Sequence, residues 1–159
     1  MPVFIIVAVL AVIAVAGGIL LIISLLNNDE VPKWISEKGK IDVTGGKQII
    51  SIDTHGGFHG DGDSLFAYEY SDSSLKTAME ASSLWKKLPL SSGLSAVLDT
   101  STGHEIPSVT NGYYFFYDRH SASTDPFDAT GLWNRPSINC TLAIYDADKD
   151  ILYIYIMDT

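Results

Sequence analysis

The sequence predicts an α+β protein: an N-terminal transmembrane helix, then an antiparallel sheet of about five strands packed on one main helix. Three observations lead there. Residues 2–26 carry no charged side chain. Two alternating apolar runs near the C-terminus flank the turn-like string DADKD. One stretch in the middle of the chain repeats its apolar residues at helical spacing.

The first run, PVFIIVAVLAVIAVAGGILLIISLL, exceeds the roughly 20 apolar residues that cross a hydrocarbon core. A cleaved signal peptide is the competing reading, with AVA at residues 14–16 as the cleavage pattern. Such peptides begin with a basic region and hold a shorter apolar core. No Lys or Arg precedes this run, which stays apolar past Ala16, so an uncleaved single-pass anchor over residues 1–26 is expected. The lysines after the span, Lys33, Lys38 and Lys40, favour a cytoplasmic domain under the positive-inside rule. A short tail before a lone span is instead the signal-anchor arrangement, and export of the domain is the expectation adopted. Residues 27–46 read as a juxtamembrane linker with a short turn at 31–35, closed by Gly45 and Gly46.

Residues 47–159 form the expected small α+β domain. KQIISID (47–53) and SLFAYEY (64–70) read as strands of one antiparallel hairpin, joined by the glycine-rich segment between them. Residues 71–88 read as the main helix, capped by Ser71 or Asp72. Leu75, Ala78, Met79, Ser82, Trp85 and Leu88 make its apolar face, and Pro89 stops it. GLSAVLD (93–99) fits a short helix or a strand. GYYFFYD (112–118) reads as a strand covered on both faces, and residues 119–136 as a long loop, of the kind often tied to function. Ile138, Cys140, Leu142 and Ile144 alternate, as do Leu152, Ile154 and Ile156. Setting Tyr145 opposite Ile151 puts these apolar sets in register and leaves Tyr145, Tyr153 and Tyr155 on the other face. That tyrosine-rich face is either covered by another segment or open to a protein or peptide partner.

The net charge of −9 lies wholly after the apolar run. It argues against nucleic acid as a partner, because such binding depends on neutralising phosphates. The lipid bilayer, through residues 2–26, is the partner the sequence implies. One cysteine, Cys140, excludes an internal disulfide, and its place among core residues makes it a buried hydrophobe rather than a nucleophile.

SIDTHGGFHGDGDS (51–64) holds the densest set of chemical groups. Imidazole and carboxylate suit zinc and its neighbours, so His55, His59 and Asp61, with His120 from the end of the 112–118 strand, form a candidate metal set. His55 and His59 are four apart, but the glycines between and after them exclude a helical HExxH geometry. The competing account is a polar turn in which glycines supply positive φ and the Asp and His side chains bond nearby backbone. Asp53, Asp118, Arg119 and Arg135 are further binding candidates. Arg119 and Arg135 are the only arginines and flank the same loop, where either could fork onto a carboxylate or phosphate. DADKD lacks the glycine and the distal glutamate of a calcium loop and reads as a hairpin turn. No nucleophile elbow, P-loop or dinucleotide fingerprint is present.

The segments DTHGGFHGDG, YYFFYDRHS and NCTLAIYDADKDILYIYIMDT resemble an uncharacterised group of small, single-span membrane proteins of Gram-positive bacteria. The resemblance implies a bacterial membrane protein with a small domain beside the membrane, and no activity. A Lys-rich N-terminus is expected in that group, and this chain has none. Two functional classes follow: a membrane-anchored, extracytoplasmic, non-catalytic binding or accessory domain that needs no cofactor, or a divalent-metal-dependent hydrolase centred on His55, His59 and His120.

Overall fold

The computed structural model describes residues 30–56, 60–99, 106–122 and 124–159. The chain divides into two units, 1–31 and Pro32–Thr159. The apolar run 2–26 lies outside the described residues, among which no helix is long and apolar enough to cross a membrane.

Nine elements are described: α1 (Glu30–Gly39), β1 (Lys47–Asp53), β2 (Gly62–Glu69), α2 (Ser74–Glu80), β3 (Lys86–Lys87), α3 (Ser92–Asp99), β4 (Gly112–Asp118), β5 (Asn139–Asp146) and β6 (Ile151–Asp158). A 3₁₀ turn at Leu132–Asn134 interrupts the long loop. The six strands make one antiparallel sheet in the order β1-β2-β6-β5-β4-β3. The α+β class therefore holds, with six described strands and three described α-helices in place of about five and one.

Both faces of the sheet are covered. Phe116, Cys140, Leu142, Ile144, Tyr155 and Met157 share one face, and Leu94 and Val97 of α3 pack on it together with Leu132. Phe115 and Tyr117 lie on the other face, where Trp85 stacks at a tilt on Phe115 and Trp34 of α1 meets Tyr117 edge-on at 5.3 Å between centroids. Such aromatic pairs each contribute about 1 kcal/mol beyond the area they bury.

Four expectations are corrected. Of the linker expected over 27–46, the described part, 30–46, is not a plain linker. Pro32, Ile35 and Gly39 recur on the inner side of α1, and Ile35 and Val43 are fully buried. The spacing of three and four residues was present in the sequence, but one proline and two flanking glycines masked it. Burying Ile35 alone contributes about 2 kcal/mol.

The main helix is also shorter than 71–88. It ends at Glu80, because the Ser82 hydroxyl accepts the backbone N–H groups of Leu84 and Trp85, offering the chain an alternative to the next helical turn. Trp85 then leaves the helical path, donating its indole N–H to Gly39 O at 3.1 Å. At the start of α2, Asp72 Oδ1 takes the Ser74 N–H, while the N-cap residue is Ser73. The ambiguous GLSAVLD belongs to helix α3.

The third correction is the C-terminal register. Tyr145 pairs with Leu152 and Asp146 with Ile151, one residue from the expected pairing. The turn is residues 147–150, closed by the Asp148 N–H on Asp146 Oδ1 and by Asp150 at φ 54°. A shift of one residue flips a strand's side chains. Leu142 and Ile144 therefore share a face with Tyr153 and Tyr155, and Tyr145 lies with Leu152. The expected grouping of Tyr145 with Tyr153 and Tyr155 on one face is not formed. All three tyrosines are buried, with the Tyr145 hydroxyl on Asp150 and that of Tyr155 on Asp63.

The fourth concerns the candidate metal set, which His120 or Asp118 could complete only if the 112–118 strand lay beside the first hairpin. The strand ending at Asp118 does not lie beside the β1–β2 hairpin, because β6 and β5 stand between them.

Candidate functional site

Antiparallel pairing brings the end of β1, the start of β2, the end of β6, the start of β5 and the end of β4 to one end of the sheet. Most of the residues singled out in the sequence lie along this rim. The hairpin connection is fixed by Thr54 and Asp63. Thr54 donates its N–H to Asp63 O at 2.9 Å and its hydroxyl to Asp63 Oδ1 at 2.7 Å, while Asp63 N–H returns to Thr54 Oγ1. Asp63 is buried, and its second oxygen accepts the Tyr155 hydroxyl at 2.9 Å. Burial first, then that bond, raises the Tyr155 pKa far above the usual phenol value. Gly62 sits where a Cβ would come within 2.6 Å of His55 Cα, so the backbone itself presses against the histidine.

His55 is held from both sides. Its Nδ1 faces Asp53 Oδ1 at 2.6 Å and its Nε2 faces Asp158 Oδ2 at 3.0 Å. Ser64, buried in β2, reaches both Asp53 Oδ1 and His55 Nδ1. Arg119 in turn donates to Asp158 Oδ1 and to Met157 O. The result is a row of alternating charge, Asp53–His55–Asp158–Arg119, that ties the β1–β2 connection to the end of β6 and to the residue after β4. Burial alone would lower the His55 pKa, but the hydrogen bonds to Asp53 and then Asp158 outweigh it and raise it. The Asp53 carboxyl is held below its usual value, chiefly by the backbone N–H of His55 and then by its ring.

This row makes stability depend on pH in a defined sense. A histidine whose pKa is raised on folding stabilises the fold fully below the unfolded value of about 6.5 and loses that contribution as pH rises through the folded value. Asp53, lowered, contributes above about 3.9 and loses it as pH falls. The row is therefore strongest between these limits. Urea denaturation of the wild type and of His55→Asn should differ most near pH 5.5 and converge as the medium becomes alkaline. A difference that grows toward alkaline pH would disprove the assignment.

A second pair closes the long loop. Arg135 forks onto Asp118, with Nη1 to Oδ2 at 2.9 Å and Nη2 to Oδ1 at 3.0 Å. Asp118 is buried and also accepts the His120 N–H. Asp61 and His120 line a shallow depression of about 480 Å³ with Gly60, Asn139 and Asp158. His120 Nδ1 faces the Asn139 amide at 3.5 Å.

Of the candidate metal set, His55 is saturated by carboxylates, Asp61 and His120 share the depression, and His59 lies outside the described residues. Among the described residues, no three His, Cys, Asp or Glu side chains are grouped to hold a metal ion. A ligating imidazole needs a free nitrogen lone pair, and His55 spends both ring nitrogens on Asp53 and Asp158. Of the binding candidates, Asp53, Asp118, Arg119 and Arg135 are engaged in pairs on the rim, while Tyr145, Tyr153 and Tyr155 are core. Cys140 is buried, and its thiol is pushed up to about 12 by that burial.

Two partners escaped the sequence reading, Ser64 and Asp158. Ser64 alternates with residues of the strand interior, and Asp158 follows an apolar run as an ordinary strand end. The β1–β2 hairpin sets Ser64 opposite Asp53, and the non-local pairing of β2 with β6 brings Asp158 to His55. No family model matches the chain, and comparisons with curated proteins and with solved structures return no match.

Proposed function

We propose that the chain is a single-pass membrane protein in which residues 2–26 hold a small, non-catalytic binding or accessory domain on the outer side of the membrane. The observation that carries the non-catalytic reading is the internal neutralisation of the rim. His55 lies between two carboxylates, Arg119 is paired with Asp158, and Arg135 is forked onto Asp118. A general base needs a free lone pair, and both His55 ring nitrogens face carboxylates, while Arg119 meets Asp158 through Nη2 and Arg135 meets Asp118 through both terminal nitrogens. The anchor is supported by the charge-free run itself. The partner is a protein or peptide met through residues 119–136, where Trp133 is 41% exposed while its indole N–H is fixed on Gly93 O.

Two measurements test this. The purified full chain, incubated with equimolar zinc and desalted, should retain no stoichiometric metal. One bound zinc per chain, lost in His55→Ala, would establish the metal-dependent hydrolase class instead. Protease added to intact cells should remove the domain; full protection would place it in the cytoplasm.

A further inference from the structure

The sheet has two edges, and they are built differently. β3 is two residues long and both are exposed lysines, a common way to blunt an edge. β1 runs for seven residues, KQIISID, and among the described residues nothing pairs with its outer side. The Thr54 N–H turns inward to Asp63 O, so by alternation Ser51 and Asp53 aim their main-chain N–H and C=O groups outward. A bulge between Gln48 and Ile50 pushes Ile49 out, leaving it 43% exposed. A long edge with an exposed isoleucine is a template for another strand.

The charges on β1 select the occupant. Lys47 and Asp53 stand at its two ends, three residues either side of Ile50. We infer that β1 pairs antiparallel with β1 of a second copy of this chain, centred on Ile50. In that register Lys47 of each copy faces Asp53 of the other, and isoleucine meets isoleucine at the two-fold axis. A parallel arrangement would instead set lysine beside lysine and aspartate beside aspartate, which is unfavourable. The pairing is isologous and closed: each copy spends its one long edge, so a dimer forms and not a filament.

The test uses the full chain in mild detergent. Ser51→Pro removes an outward N–H and spares the inward β1–β2 bonds. Light scattering should give a dimer for the wild type, and Ser51→Pro should weaken association at least tenfold with an unchanged far-UV spectrum. Ile50→Cys should cross-link to a disulfide dimer on mild oxidation, because directly opposed residues outside the hydrogen-bonded pairs lie close enough for one. Ser51→Cys should cross-link less than a tenth as well, since its opposite residue is Ile49. The native thiol, Cys140, is buried and stays silent. A monomeric wild type overturns the proposal. So does failure of Ile50→Cys to cross-link, whatever the mass, because the dimer would then use another surface, such as the apolar run.

Discussion

Replacing Gly112 by Ala should cost about 4 kcal/mol and lower the thermal midpoint by roughly 15 °C, the largest single effect expected outside the centre of the core. Gly112 opens β4 at φ +153°, and a Cβ there would lie 1.8 Å from the main-chain oxygen of Tyr145. That oxygen belongs to β5, which is held between β4 and β6, so it cannot move aside without breaking the ladder on both sides. Gly112 O also accepts the Leu88 N–H, which ties the short edge strand to the same point. The proper control is Gly93→Ala. Gly93 lies in α3 with open space where a Cβ would stand. That change should be neutral or gain up to about 1 kcal/mol through helix propensity. Urea denaturation of the two variants side by side checks the pair. Equal midpoints would mean that β4 and β5 are not packed as described.

Arg135→Ala should cost about 3 kcal/mol, because it strands a buried carboxylate. Asp118 is 5% exposed, and both of its oxygens face the guanidinium. The pair joins the strand end before residues 119–136 to the residue at their far end, and Arg135 Nη1 also reaches His120 O. Arg135→Lys should lie between wild type and alanine, since an ammonium cannot reproduce the fork. The double change Asp118→Leu, Arg135→Met should recover most of the loss, as apolar replacement of buried ion pairs often does. Thermal melts of the four proteins read this directly. An alanine variant within about 0.5 kcal/mol of wild type would mean the pair is solvated and weak.

These two residues show what can be read from a linear sequence. Arg135 drew attention because it is one of two arginines and flanks a long loop. Its companion Asp118 is named by being the last residue of a strongly apolar strand. Gly112 carried no such mark, since a glycine before a strand fits many turns. Only the approach of the Tyr145 carbonyl distinguishes it.

Local signals fared well. The 47–53 and 112–118 strands match β1 and β4, and the first hairpin is antiparallel as read. The alternating runs at the C-terminus are strands, yet their register slipped by one because both faces are buried, so alternation could not choose between them. The helix was overextended because Trp85 and Leu88 continue the helical period while Ser82 ends it by bonding the backbone. The rim was legible as a set of residue types at strand ends. Its wiring was not, because Asp158 meets His55 across a separation of 103 residues through a strand order that no local pattern encodes.

That strand order sets when the domain can exist. β6 comes after every other described strand, yet it occupies the middle of the sheet, between the early hairpin and the later strands. Without β6, β1 with β2 and β4 with β5 are two separate half-sheets, each with one bare inner border lined by Phe66 and Tyr68 or by Leu142 and Ile144. Neither can close until the final strand slides between them. Closure of the sheet therefore waits for the synthesis of β6, with sticky borders exposed in the meantime.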